Sequence, residues 1–178
     1  DLYERAFARA PLDPRLFDGL ARVAQLRGDS DREIKILRDK LDVVPGEAST
    51  LGRLVQIYSD RGDRGALIGT IEEILYYNQD NQPARFQLGL LYLEAGRVED
   101  ALASFERVAQ VAGSDEMGDQ ARYLLGRIYA RSGDTERAAQ LLGSIPQSAS
   151  TFVEAQLALV ALLQSQKRYP ESLAALDR

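Results

Sequence analysis

The chain has 178 residues, 45% of them apolar and 28% charged, a balance that supports a packed core and excludes a disordered chain. Its net charge of -5 argues against the cationic surface that nucleic-acid phosphates require. With no cysteine and no histidine it has no disulfide, no thiolate nucleophile, no Cys/His zinc site and no His-based acid-base chemistry.

Residues 1–13, DLYERAFARAPLD, read as the second helix of a helical hairpin, with Tyr3 and Phe7 on its apolar face and Pro11 behind it. Hairpins then follow at 14–47, 48–81, 82–118 and 119–152, with a truncated fifth at 153–178. Gly28, Gly62, Gly96 and Gly133 mark the turns inside the first four, at intervals of 34, 34 and 37 residues, and Lys167 takes the glycine's place in the fifth. In this register Leu20, Leu54, Leu88, Leu125 and Leu159 share position 7, while Ala24, Tyr58, Tyr92, Tyr129 and Leu163 share position 11. A small or medium residue recurs at position 8, including Gly89 and Gly126, and bulky Leu37, Ile71, Phe105, Leu142 and Leu176 recur at position 24. A hairpin of this kind cannot bury its apolar face alone, so each is expected to pack on its neighbours in an all-α solenoid.

Local signals agree with that register. Ser30-x-x-Glu33 and Thr151-x-x-Glu154 predict capping boxes, Asp134 predicts a helix cap, and Pro45 and Pro146 predict helix stops. The stretches GSDEMGD, 113–119, and GSIPQSAS, 143–150, predict surface loops. The longest apolar run, LALVALL at 157–163, falls far short of the roughly 20 residues that cross a bilayer, so no direct membrane span is expected.

Taken with the turn interval, Leu88, Gly89, Tyr92, Gly96, Ala101 and Phe105 resemble the tetratricopeptide repeat (TPR) family, and the resemblance covers almost the whole chain. The alanine of position 20 is replaced by Glu33, Leu67 and Ser172, and the aromatic of position 4 by Arg85, Arg122 and Gln156. The resemblance implies a right-handed superhelix whose first helices line a concave groove. Groove positions then carry Arg53 and Gln56 in the second repeat, Phe86, Leu90 and Leu93 in the third, and Tyr123, Arg127 and Arg131 in the fourth. The carboxylate clamp of chaperone-binding TPR domains has Lys at position 5, Asn at position 9, and Asn at position 6 of the next unit. Asp18, Arg22 and Arg53 stand there instead, so that clamp is absent.

Other motifs have plainer readings. DRGDRG at 60–65 faintly suggests a calcium loop, but lacks the bidentate Glu and falls on a turn. Glu72-Glu73 and Glu99-Asp100 read as solvated helix surface, and no phosphate-binding glycine loop occurs. The expectation is a non-catalytic scaffold with no cofactor and no metal site. Its partner is a protein or peptide segment with apolar and acidic features, met by Phe86, Leu90 and Tyr123 beside Arg127 and Arg131.

A weaker likeness to bacterial envelope TPR proteins, either adaptors for periplasmic proteases or scaffolds of exopolysaccharide export, points to the periplasm or the outer membrane. An RNA-binding helical repeat of period 35 and a purely architectural spacer are the rival readings. Tyr3, Phe7, Leu173 and Leu176 are expected to be exposed at the two ends and to favour end-to-end self-association.

Overall fold

The computed structural model describes residues 13–113 and 115–177, so the expected helix with Tyr3, Phe7 and Pro11 lies outside the described residues. Ten α-helices and no strand occur among them, and the chain divides into two compact units, 1–80 and 81–178.

In the first unit, α1 (Pro14–Leu26) pairs with α2 (Ser30–Val43), and α3 (Ala48–Arg61) with α4 (Arg64–Tyr77). Asp13, Asp29 and Asp63 cap α1, α2 and α4 by accepting from the backbone N–H of Arg15, Arg32 and Ala66. The capping box expected at Ser30 and Glu33 does not form. Asp29 takes the cap, and Glu33 is buried with both carboxylate oxygens on the Arg53 guanidinium, at 2.7 and 3.1 Å. Apolar groups of this core include Phe17, Ala24, Leu37, Leu54 and Ile71. Polar contacts run through it as well. Lys40 is buried with its Nζ 2.6 Å from both Asp18 and Glu47, and Arg38 donates to Glu73 at 2.6 Å and to fully buried Thr70 at 2.8 Å.

The second unit stacks α5 (Gln82–Glu94) with α6 (Val98–Ala112), α7 (Glu116–Ser132) with α8 (Thr135–Gly143), and α9 (Phe152–Ser165) with α10 (Tyr169–Leu176). Here the expected pairing of small position 8 with bulky position 24 is direct. A Cβ on Gly89 would stand 2.7 Å from the Phe105 ring, and one on Gly126 would stand 2.7 Å from Leu142 Cγ, so only glycine lets the two helices of each hairpin approach this closely. Phe105, Val108 and Ile145 are fully buried, and Leu142, Ile145, Leu159, Val160 and Leu163 form a continuous cluster.

Three local expectations are corrected in this unit. The stretch 113–119 is not a loop throughout, because α7 begins at Glu116 under an Asp115 cap and extends to 17 residues. Asp119 is buried there on Arg122, so the longer repeat interval is absorbed by an extra helical turn. Within 143–150 the chain leaves the helix as expected, but Ile145 and Ala149 drop into the core instead of lying on the surface. Thr151 makes no side-chain cap, since its ψ of 6° departs from the extended backbone of a capping residue. Asp134 does cap α8, through the N–H of Arg137 at 3.2 Å.

Candidate functional site

The buried stripe of α7 comprises Ala121, Leu125, Gly126 and Ile128, so helical periodicity turns Tyr123, Arg127 and Arg131 toward the other side, one turn apart. Tyr123 is half-buried against the cluster shared by α8 and α9, and the Arg127 guanidinium carbon sits 5.5 Å from its ring centroid. Arg127 and Arg131 are exposed, and neither makes a hydrogen bond or ion pair to another described residue. Elsewhere in this unit Arg97 pairs with Asp100, Arg122 with Asp119 and Arg168 with Glu171. Arg127 and Arg131 are two cations without an ion-pair partner on one helix of a chain of net charge -5.

A cleft of about 490 Å³ opens beside them, lined by Leu93, Val98, Leu124 and Ile128 together with Arg127 and Arg131. Leu90 is exposed on the same helix as Leu93. Phe86 is drawn inward, with its ring packed edge-on against Phe105 at a centroid distance of 5.5 Å, so it supports the floor more than the surface. The structure thus brings Leu93, Arg127 and Arg131 to one cleft, with Tyr123 beside Arg127, while Leu90 is exposed outside the cleft lining.

Arg53 and Gln56 belong to the first unit and are already engaged there. Arg53 holds the buried carboxylate of Glu33, and Gln56 donates to Asp60 at 2.7 Å. Position 20 is small in most repeats, so a glutamate there was a signal that a cation must stand close by. Leu157, exposed on α9, occupies position 5, the same as Phe86 and Tyr123.

Among the described residues no group of three or more His, Cys, Asp or Glu is placed to hold a metal ion, and no helix is long and apolar enough to cross a membrane.

Residues 76–150 match the family model described as tetratricopeptide repeat. The chain is 25% identical over 197 residues to cellulose synthase operon protein C of Pseudomonas fluorescens (strain SBW25), covering 99% of the chain and 15% of that protein. It is 30% identical over 91 residues to the TPR repeat-containing protein YpiA of Bacillus subtilis (strain 168), covering 51% of the chain and 22% of that protein. The chain therefore spans less than a quarter of the length of either relative. Among solved structures, MamA aligns with a TM-score of 0.67 at 17% identity, covering 92% of this chain and 88% of that one. YrrB, described as a TPR protein with an unusual peptide-binding site, aligns with a TM-score of 0.67 at 15% identity, covering 99% and 90%. At these identities the structural likeness establishes the fold.

Proposed function

We propose, for a chain that belongs to the tetratricopeptide repeat superfamily, that its work is to hold a partner protein through a segment seated on the first-helix side of the second unit. TPR solenoids are protein-interaction scaffolds, and the reading adds a place and a chemistry to that general role. The observation that carries it is the pair of unpaired guanidiniums, Arg127 and Arg131, standing over a cleft walled by aliphatic side chains. Arginine's planar fork suits carboxylates, and a concave apolar cleft suits the side chain beside one. No catalytic role is assigned to any residue.

The likeness to a cellulose synthase operon protein supports a scaffold in bacterial exopolysaccharide export over a protease adaptor, and with it an envelope setting. The acidic total charge disfavours RNA as the partner.

The test compares three forms of the chain against a partner identified by crosslinking. Arg127→Glu with Arg131→Glu should weaken binding by tenfold or more, about 1.4 kcal/mol, as attraction becomes repulsion. Arg107→Glu, an exposed charge on the second-helix side, should leave binding unchanged. Equal affinity for all three forms would move the contact surface elsewhere, or leave the array a spacer.

A further inference from the structure

On the second-helix side, the second helices of two successive repeats flank a seam whose floor is the first helix of the later repeat. In the first unit an arginine fills this seam. Arg38 of α2 reaches across to α4, donating to Glu73 at 2.6 Å and to Thr70 at 2.8 Å, and its guanidinium carbon lies 6.0 Å from the ring centroid of Tyr58 on α3. The seam between α8 and α10 is also crossed by an arginine, since Arg168 at the start of α10 donates to Glu136 of α8 at 2.8 Å.

Between α6 and α8 the acceptors of such a contact are present without a crossing arginine. In the repeat register Glu106 stands at position 25, where Arg38 stands in the first repeat, and Tyr129, Leu141 and Ser144 take the places of Tyr58, Thr70 and Glu73. These four residues line a cavity of about 540 Å³, with Arg137 and Gln140 beside them. Tyr129 donates its hydroxyl to one Glu106 oxygen at 2.6 Å, and that carboxylate holds the phenol above its ordinary 10.0, so it stays a donor at neutral pH. Glu106 has no cationic partner among the described residues. Arg137 lies over the Tyr129 ring at 5.5 Å, but its charge is answered by Asp134 at 3.3 Å. The charge left over in the cavity is that of Glu106.

We infer that this cavity receives an arginine side chain of a partner protein, which enters between α6 and α8 and sets its guanidinium on Glu106 as Arg38 sets its own on Glu73. A carboxylate accepts two N–H groups of that planar fork, and the Gln140 amide oxygen and Ser144 hydroxyl offer acceptors for the others. Lysine, a point charge with three donors, matches such a spread of acceptors less well. Leu125 and Leu141 give the methylene stem an apolar wall. The cavity shares no residue with the cleft of Arg127 and Arg131, so the inference is independent of the groove reading.

The test titrates the whole isotope-labelled chain with N-acetylarginine amide and follows backbone and side-chain amide shifts by NMR. Two companion compounds carry lysine, or citrulline, which keeps the shape of arginine without its charge. The arginine compound should move signals around Glu106 and Gln140 with a Kd of about 1 mM, the strength of one charge-assisted contact. Citrulline should bind at least tenfold more weakly and lysine several-fold more weakly. Glu106→Gln, at an exposed position, should abolish the difference between arginine and citrulline. Ser144→Glu supplies the carboxylate that Glu73 provides in the first unit, and should tighten the arginine compound several-fold.

An absence of shifts on α6 and α8, or shifts that Glu106→Gln leaves unchanged, overturns the site. Equal binding of the lysine or citrulline compound overturns the guanidinium assignment. Shifts scattered over carboxylates throughout the chain, without saturation, show general ion pairing and overturn it as well.

Discussion

In the first unit the two hairpins are joined by Arg53 on Glu33, Arg38 on Glu73 and Arg61 on Asp31, whereas in the second Phe105, Leu142 and Ile145 are sealed against glycines and aliphatic side chains. The repeat register is common to both, yet the chemistry filling it is not. An ion pair removed from water regains little more than its desolvation cost, while a buried aromatic or aliphatic side chain stabilises outright. What the charged interface adds is geometric demand: a bidentate guanidinium accepts few arrangements of its partner. The first unit is thus expected to depend on intact pairs, and the second on side-chain volume.

The largest effect should come from the second unit. Phe105→Ala removes a fully buried ring that faces Gly89 and should cost about 3–5 kcal/mol in denaturant unfolding. A cost near zero would show that the ring is not sealed as described. In the first unit, Arg53→Met should cost about 3 kcal/mol, because it strands the buried Glu33 carboxylate. Adding Glu33→Leu should recover most of that loss, since the pair as a whole contributes little. If the double variant is no better than the single one, the pairing does not explain the cost.

Acidity should separate the units further. Hydrogen bonds from Lys40 and Thr50 hold the Glu47 carboxyl below its ordinary value of 4.5. Burial pulls Lys40 down, but its bonds to Asp18 and Glu47 outweigh that and leave it above its ordinary 10.5. Glu47's contribution is complete above about pH 4.5 and disappears as pH falls through its lower folded value; that of Lys40 is complete below 10.5 and disappears as pH rises through its higher one. Glu116 and Glu171 in the second unit are also lowered, by Ser150 and Arg168, but at exposed sites where solvent screens the effect. Glu47→Gln should therefore flatten part of the acid limb of stability measured from pH 6 to pH 3. A limb of unchanged steepness would sink this account.

A smaller change of opposite sign is expected at Gln156 on α9. Its amide is buried and neither the oxygen nor the nitrogen has a partner. Gln156→Leu should raise stability by about 1 kcal/mol by removing that unmet polar group. Destabilisation would mean that the amide is satisfied in solution.

The same contrast explains what could be read without coordinates. Residues whose role is set by their own position were legible: the position 7 leucines are buried from Leu54 to Leu159, and Gly89 and Gly126 lie under Phe105 and Leu142 as the register required. Roles that depend on a partner distant in sequence were not. Glu33 read as part of a capping box because its neighbour Ser30 is local, while Arg53, 20 residues away, decides its environment. Tyr123, Arg127 and Arg131 stand out in the sequence because they share one helix face; Val98 does not, because it joins the cleft from another helix.

The smallest effects belong to the one feature the units share, the turn between the helices of a hairpin. Gly62 in the first unit and Gly96 in the second have φ of 66° and 73°, with no atom within 4 Å of where a Cβ would stand. A side chain there meets only backbone strain, so Gly62→Ala and Gly96→Ala should cost the same, about 1 kcal/mol. Lys167 holds the equivalent place in the last hairpin at φ 61°, carrying that strain already. Lys167→Gly relieves it but also loosens the unfolded chain, which offsets part of the gain, so stability should rise by only a few tenths of a kcal/mol. Thermal melts of the three variants decide the point. Equal losses at Gly62 and Gly96 leave side-chain chemistry as the source of the contrast between the units, and unequal ones would place part of that contrast in the backbone.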